Sequence, residues 1–318
     1  MTGGFQSSVN VQPAVGVEGD FCSANPVFTV DAGPGAFVCG AAGVTVGRFA
    51  WAVPPFDPDG GPAICNSFGV SNPTGFVGRS QQGLNTVYLS DASMLIPQGF
   101  GLTLYRGGDF WVKNAGTTNA QIGQKAFALY ATGQVIFAAA GATPSTASVT
   151  GSIAAQTTTF NGSISGGVLT VTTLVTGTIG VGAILTGGTG IVTGTQVLGQ
   201  VSGATGGVGV YNVSFPEQTV ASALLSGTYG LLTVTANLSG TIGVGDVLSG
   251  SGGGGVTTGT VITAVGAVVG GNQTYLVSPS QTVTSTTISS VNAYETKWYA
   301  ASSGLPGELV KMTNQVNG

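Results

Sequence analysis

The stretch Leu169–Gly187, LTVTTLVTGTIGVGAILTG, returns later in the chain as Leu232–Gly250, LTVTANLSGTIGVGDVLSG. The blocks LTVT and GTIGVG recur at one spacing of 63 positions, from 169 to 232 and from 177 to 240. The segment PEQTV at Pro216–Val220 recurs at the same spacing as PSQTV at Pro279–Val283. Self-similarity at a fixed period identifies a tandem repeat of one structural unit.

A small slip interrupts the spacing between the two repeats. Tyr211 and Tyr275, which begin the related triplets YNV and YLV, are 64 positions apart. One small insertion that is compensated further along the chain explains this difference. Because a unit of this size is at the low end of independent stability, we expect the two units to pack on each other or on partners.

Each repeat predicts about four or five short β-strands. Leu169 and Val171 alternate with two threonines, which is typical of a strand with one apolar face and one hydroxyl face. Glycine pairs and runs such as Gly187-Gly188 and Gly252–Gly255 are expected to interrupt strand pairing.

The composition of the whole chain favours an all-β protein. The 318 residues include 56 glycines, and only 7 are basic and 11 acidic. Glycine is costly in helices, whereas a chain rich in Thr, Val, Ser and Gly is typical of short strands joined by tight turns. A hydrophobic content of 42% argues against disorder, which is typical of apolar-poor and charge-rich segments.

The charged residues divide the chain into regions. From about Ser148 to Ser290 the only charges are Glu217 and Asp246, whereas both flanks carry many more. We therefore predict a β-sandwich or barrel-like domain formed by residues 1–147 and 291–318. Two small β modules, 148–222 and 223–290, are inserted into it.

Strands are also predicted in the first flank. Val44–Trp51 predicts one strand with Val46, Arg48 and Ala50 on one face and Phe49 and Trp51 on the other. Leu102–Tyr105 and Phe110–Lys113 are predicted strands, and the turn Arg106–Asp109 between them predicts a hairpin. Val135–Ala139 predicts another strand. Met1–Asn25 is expected to form an extended arm.

The residues that most enzymes need are missing. The chain has no histidine, which excludes Ser-His-Asp and Cys-His catalysis and histidine-containing zinc sites. A carboxylate pair for glycoside hydrolysis stays open, with Asp57, Asp59 and Glu295 as candidates. Asp57-Pro58-Asp59-Gly60-Gly61 is better explained as a surface turn than as a calcium loop. We expect no enzyme, no cofactor and no metal.

Several partner classes are disfavoured as well. A net charge of −4 and the absence of a basic run argue against nucleic acid binding. The N-terminus lacks the pattern of a signal peptide, and no apolar stretch is long enough to span a membrane. Cys22, Cys39 and Cys65 have neither metal-site spacing nor the pattern of a disulfide framework, and are expected to be buried thiols.

Nine segments of the two flanks resemble the phage structural cement proteins, also called capsid decoration proteins. The segments are GDF at Gly19–Phe21, ANP at Ala24–Pro26, AGPGA at Ala32–Ala36, GVTVGRFAW at Gly43–Trp51, PTGFV at Pro73–Val77, GGDFWVKNAG at Gly107–Gly116, GQKA at Gly123–Ala126, ETKWY at Glu295–Tyr299 and GELVK at Gly307–Lys311. The resemblance implies a β-rich protein on the outer surface of an icosahedral head that bridges subunits of the major capsid protein. The repeats are similar to modules of several virion proteins and fit a tail fibre or adhesin equally well.

Cementing requires an extended interface with aromatic and arginine anchors. The predicted capsid contacts are the N-terminal arm, Arg48, Trp51, Arg79 and Trp111. The alternative is that both tryptophans lie in the core and that both arginines are plain surface charges. We expect a homo-oligomer, a trimer or a dimer. The uncharged repeats are expected to project outwards, either as an inert knob or as a weak binder of glycans.

Overall fold

The computed structural model describes residues 16–32, 36–40, 42–52, 63–79, 94–142, 146–215, 217–250 and 255–315. Every regular element within these ranges is a β-strand, and the prediction of an all-β fold is confirmed. The chain forms two compact units, which we call unit 1 (Met1–Ala142 with Ala293–Gly318) and unit 2 (Thr143–Asn292). The boundaries predicted from the sequence are 147/148 and 290/291.

The strands are numbered in chain order. They are β1 Phe28–Thr29, β2 Phe37–Cys39, β3 Val44–Thr45, β4 Phe49–Ala52, β5 Ala63–Asn66, β6 Gly75–Val77, β7 Leu95–Ile96, β8 Gly101–Leu102, β9 Leu104–Gly107, β10 Asp109–Lys113, β11 Lys125–Leu129, β12 Val135–Ala138, β13 Thr146–Ser165, β14 Val168–Thr176, β15 Ile184–Thr186, β16 Val197–Gly203, β17 Gly209–Val213, β18 Val220–Ser239, β19 Val247–Gly250, β20 Thr260–Val269, β21 Asn272–Ser278, β22 Val283–Val291, β23 Ala293–Ala300 and β24 Leu309–Thr313.

Unit 1 contains two larger sheets and a short two-stranded ladder, β3–β7. The first sheet has the order β1-β9-β6-β4-β5-β2-β8, and the second has the order β10-β24-β23-β11-β12. β23 and β24 come from the C-terminal segment and lie between β10 and β11 from the first part of the chain. Both segments of unit 1 therefore contribute strands to one sheet.

An aromatic cluster forms part of the core of unit 1. Phe49 and Phe76 from the first sheet pack against Phe110 and Trp298 from the second. The ring centroids of Phe76 and Phe110 are 4.9 Å apart, and those of Phe110 and Trp298 are 5.9 Å apart. Such pairs add to the free energy that the burial of the rings supplies. Trp298 of the ETKWY segment is thus a core residue of unit 1.

Two predictions for the first flank are wrong. Val44–Trp51 is not one strand, because Gly47 has a positive φ of 79° and forms a turn between β3 and β4. A side chain at Gly47 would also collide with Glu18. The predicted hairpin around Arg106–Asp109 does not form, since β9 and β10 belong to different sheets. The chain crosses between them at Gly108, whose φ of 132° favours glycine.

Unit 2 is built around two strands of 20 residues each, β13 and β18. They pair antiparallel along almost their whole length, from Ser148↔Ser239 to Ile164↔Val220. One end of this pair joins β21, β20, β19 and β22 in the closed ring β13-β18-β21-β20-β19-β22. We call this ring barrel 2.

The other end of the same pair forms a second ring, which we call barrel 1. Its order is β13-β14-β17-β16-β15-β18. β15 and β16 meet through the bridge Ile184↔Gln196 and a hydrogen bond of 2.7 Å from the Leu185 N–H to the Thr195 carbonyl. The two barrels therefore share β13 and β18, and the predicted module boundary at 222/223 falls inside β18.

The two repeats occupy equivalent places in the two barrels. The core of each barrel contains the same repeat positions, Leu169/Leu232, Val171/Val234, Ile179/Ile242, Leu185/Leu248 and Val220/Val283. Thr170 between the first two is exposed, so the predicted alternation in this strand is confirmed.

A hydrogen-bonded glutamine also recurs in both barrels. In barrel 1 the Gln218 side-chain carbonyl accepts hydrogen bonds from the Val192 N–H and the Thr195 hydroxyl. In barrel 2 Gln281 accepts from the Thr257 N–H and donates to the Thr260 hydroxyl. The repeat in the sequence is therefore a repeat of side-chain contacts as well as of strands.

Candidate functional site

Two of the predicted contact residues lie close together in the chain, Trp51 in β4 and Arg48 immediately before β4. Their environments differ. Trp51 is only 6% exposed, and its indole N–H donates a hydrogen bond of 2.8 Å to the Ser71 carbonyl. It is a core residue of unit 1, which corrects its prediction as a surface anchor. Arg48 is half-buried and donates to the Thr132 carbonyl over 3.4 Å. Its charge also lowers the pKa of Glu18, against the larger upward effect of burial.

Arg79 connects the end of β6 to the N-terminal segment. Its guanidinium Nε lies 3.7 Å from a carboxylate oxygen of Asp20. Its backbone N–H donates a hydrogen bond of 2.8 Å to the Gly19 carbonyl. Both contacts hold residues 19 and 20 against the rest of unit 1.

Trp111 of β10 contacts the same segment from another strand. The Trp111 carbonyl accepts a hydrogen bond of 2.7 Å from the Gly19 N–H, and its own N–H donates to the Asp20 carbonyl. The Lys311 ammonium lies 5.3 Å from the centroid of the half-buried indole ring. Two of the four predicted residues, Arg79 and Trp111, therefore contact residues 19 and 20 of the predicted arm.

An exposed apolar strip lies on the described part of the N-terminal segment. Phe21 is 48% exposed and Phe28 is 52% exposed, and Val17 and Val27 are exposed as well. The Phe21 ring packs edge-on against Tyr105 at 5.6 Å. We call Val17, Phe21, Val27 and Phe28 the N-terminal strip. The sequence does not predict this strip, because these four side chains follow no strand or helix period.

A buried carboxylate holds this strip in place. Asp109 at the start of β10 is 6% exposed. Its Oδ2 accepts hydrogen bonds of 2.6 Å from the Ser23 hydroxyl and from the Asn25 side-chain amide. Its Oδ1 accepts one from the Thr313 hydroxyl of β24. Hydrogen bonds to an ionised group are among the stronger ones in proteins, so Asp109 ties the N-terminal segment to the C-terminal strand.

The thiols and the remaining acidic groups form no reactive constellation in the described part of the chain. Burial raises the pKa of Cys22 and Cys39 to about 11 and that of Cys65 to about 12. No group of three metal-ligating side chains occurs within the described ranges. No helix long and apolar enough to cross a membrane occurs there either. Asp57 and Asp59 lie outside the described residues.

A family model of phage minor capsid proteins matches residues 5–173 of the chain. This range covers just over half of the 318 residues, including the N-terminal strip, Arg48, Arg79 and Trp111. The chain is thus a structural protein of a phage particle and associates with the capsid. It belongs to the XM1 gp53 minor capsid protein family. A comparison with curated proteins gives no match.

Proposed function

We propose that the chain is a cement protein that binds the outer surface of the phage head and bridges subunits of the major capsid protein. In this proposal unit 1 makes the contact, and unit 2 projects away from the head. The observation that carries the proposal is the N-terminal strip, an exposed apolar surface held in place by a buried, hydrogen-bonded carboxylate. Exposed apolar surface of this kind marks sites of protein association.

Order in the strip favours tight binding. An interface segment that is already fixed before association loses less conformational freedom when the complex forms. Aromatic side chains such as Phe21 and Phe28 contribute large contact areas at the centre of interfaces. Arg79 and Trp111, which brace residues 19 and 20, act in this proposal by positioning the strip.

The distribution of charge supports the division of roles between the units. All seven basic residues of the chain lie in unit 1, and unit 2 has only Glu217 and Asp246 as charged residues. Because unit 2 has few charged residues, it can form few ion pairs with a partner. This favours a projecting role for unit 2 over a capsid contact. We propose no catalytic role, no nucleic acid partner and no membrane partner.

A tail-fibre or adhesin role is the second candidate. Val175 and Leu238 occupy equivalent repeat positions, Val201 and Val265 lie on the corresponding strands β16 and β20, and all four are exposed. Exposed apolar residues at the same places in both barrels favour a binding role for unit 2. In that case the particle would carry few copies, and the isolated protein would bind host cells.

Copy number separates the two roles. Cement protein is expected in high copy number on purified heads, measured by cryo-EM or quantitative gel, and a tail fibre in few copies. Purified heads that contain no copies of the chain would overturn the proposal. Sedimentation of the purified protein measures the expected trimer or dimer.

The contact surface is tested by adding protein back to heads that lack it. Phe21→Ser with Phe28→Ser is expected to lower occupancy on the heads at least about tenfold, because each exposed ring contributes on the order of 1 kcal/mol or more to an interface. Ile122→Ser is the matched control, since Ile122 is 72% exposed and lies outside the strip. Equal loss from the control would show that any exposed apolar residue matters and would contradict a specific contact.

A further inference from the structure

A groove of about 260 Å³ opens on unit 1. Its lining includes the buried rings of Phe49 and Trp298. Asn72 and Thr74 contribute polar groups to the lining, and Tyr105 and Tyr294 contribute phenol rings. The Thr74 hydroxyl oxygen accepts a hydrogen bond of 2.8 Å from the Ala52 N–H, which leaves its hydrogen free to donate.

Two cations, Arg106 and Lys297, lie in the same lining. Burial lowers the pKa of Lys297, and the charge of Arg106 lowers it further. Within the described ranges, Arg79 and Asp20 form the only ion pair. Neither Arg106 nor Lys297 therefore has a carboxylate oxygen within 4.0 Å in those ranges.

The carboxylate in the groove lining is already engaged elsewhere. Glu295 accepts a hydrogen bond of 2.6 Å from the Gly141 N–H through its Oε2 atom. The two cations of the lining thus outnumber its one carboxylate, which forms no ion pair with either of them. A bound anion would relieve the repulsion between the two cations.

We propose that this groove binds an acidic side chain of a neighbouring protein in the phage particle. The guanidinium of Arg106 offers paired donors that match a carboxylate, Lys297 adds a second charge, and the Thr74 hydroxyl adds a neutral donor. Two cations are too few for the extended phosphate backbone of a nucleic acid. The inference rests on the proposed function only in taking the partner to be a capsid subunit.

The groove is tested first without the capsid. The probe is a hexaglutamate peptide with blocked termini, hexaglutamine is the neutral control, and binding is followed through the backbone amide NMR signals of residues 294–298. We expect hexaglutamate to bind the full chain and hexaglutamine not to bind. The pair Arg106→Gln with Lys297→Gln is expected to weaken binding at least about tenfold, the usual effect of losing charge-assisted contacts.

The control is Lys113→Gln with Lys125→Gln, which removes the same charge outside the groove and is expected to leave binding unchanged. Equal weakening by both pairs would overturn the proposal, because binding would then follow net charge alone. Inorganic phosphate is the second probe. Phosphate binding at residues 294–298 as tight as that of the peptide would overturn recognition of a carboxylate. Equal thermal midpoints show that all variants fold.

The second arm uses heads that lack the protein. We expect the groove variant to bind the heads about tenfold more weakly than the control pair, with a shallower dependence on salt concentration. Heads that bind the groove variant as well as the unchanged protein would overturn the inference and leave the proposed function standing. If the unchanged protein fails to bind heads, the proposed function fails, and the peptide titration still decides the groove.

Discussion

A buried polar pair distinguishes barrel 2 from barrel 1, and its removal tests how the repeats are related. Asp246 is 7% exposed, and its Oδ2 accepts hydrogen bonds of 3.0 Å from the Gly243 N–H and 2.9 Å from the Ser290 hydroxyl. The equivalent residues of barrel 1, each 63 positions earlier, are Ala183 and Gly227. A β-carbon at Gly227 would lie 3.5 Å from that of Ala183, so the apolar pair occupies the same kind of site.

Asp246→Ala is expected to destabilise unit 2 by about 2 kcal/mol. Two hydrogen bonds to an ionised group are lost, each worth roughly 1.5–3 kcal/mol, and part of this is offset because a buried charge is removed. Ser290→Gly removes one bond and adds a glycine to a strand, for a cost of about 1.5 kcal/mol. The double variant reproduces the alanine–glycine pair of barrel 1 and leaves no Ser290 hydroxyl without a partner. Its cost should be smaller than the sum of the two by about 1 kcal/mol.

Native-state hydrogen exchange measures these changes in the full chain, because the amides of β13 and β18 report the opening of unit 2. Glu217→Gln is the control, since Glu217 is the other acidic residue of unit 2 and is exposed. It should change the free energy of opening by less than about 0.5 kcal/mol. A double variant that costs as much as the two single changes together would refute a coupled pair.

Three further predictions concern pH, the N-terminal strip and the shared strands. Burial raises the pKa of Asp246 more than its hydrogen bonds lower it, so its contribution to stability is full below the unfolded pKa and is lost as the pH rises through the folded pKa. Asp246→Asn should therefore flatten the pH dependence of β18 exchange as the pH rises above about 4, the usual pKa of an aspartate, and an unchanged slope would contradict this assignment. Asp109→Ala should expose residues 16–29 to proteolysis and lower stability by about 3 kcal/mol, as measured by urea unfolding, because three donors lose one carboxylate. Glu217→Ala is the control, because Glu217 is exposed and lies in unit 2; equal cleavage of both variants would count against the role of Asp109. Barrel 2 needs residues 146–153 of β13. Residues 223–290 alone should therefore give no cooperative unfolding transition, whereas residues 143–292 should give one. A sharp transition in the shorter fragment would show that the shared strand is dispensable.

The sequence predicts Arg48, Arg79 and Trp111 as capsid contacts because they are rare charged and aromatic residues in a charge-poor chain, and that role stays a prediction. In the fold, Arg79 and Trp111 contact residues 19 and 20. Trp51 has the same chemical character but lies in the core, and composition cannot separate the two environments. The N-terminal strip escaped prediction, because its order depends on Asp109, whose three donors come from both ends of the chain.

The sequence alone determined the all-β class, the repeat and the alternation of Leu169 and Val171 with threonine, because these depend on local patterns of side chains. Only the tertiary structure decided that β13 and β18 run through two barrels and that β9 and β10 enter different sheets. Local pattern specifies which residues form a strand, whereas hydrogen bonds between strands connect residues far apart in the chain. The strands pair in the arrangement that satisfies the most backbone hydrogen bonds and buries the apolar faces together.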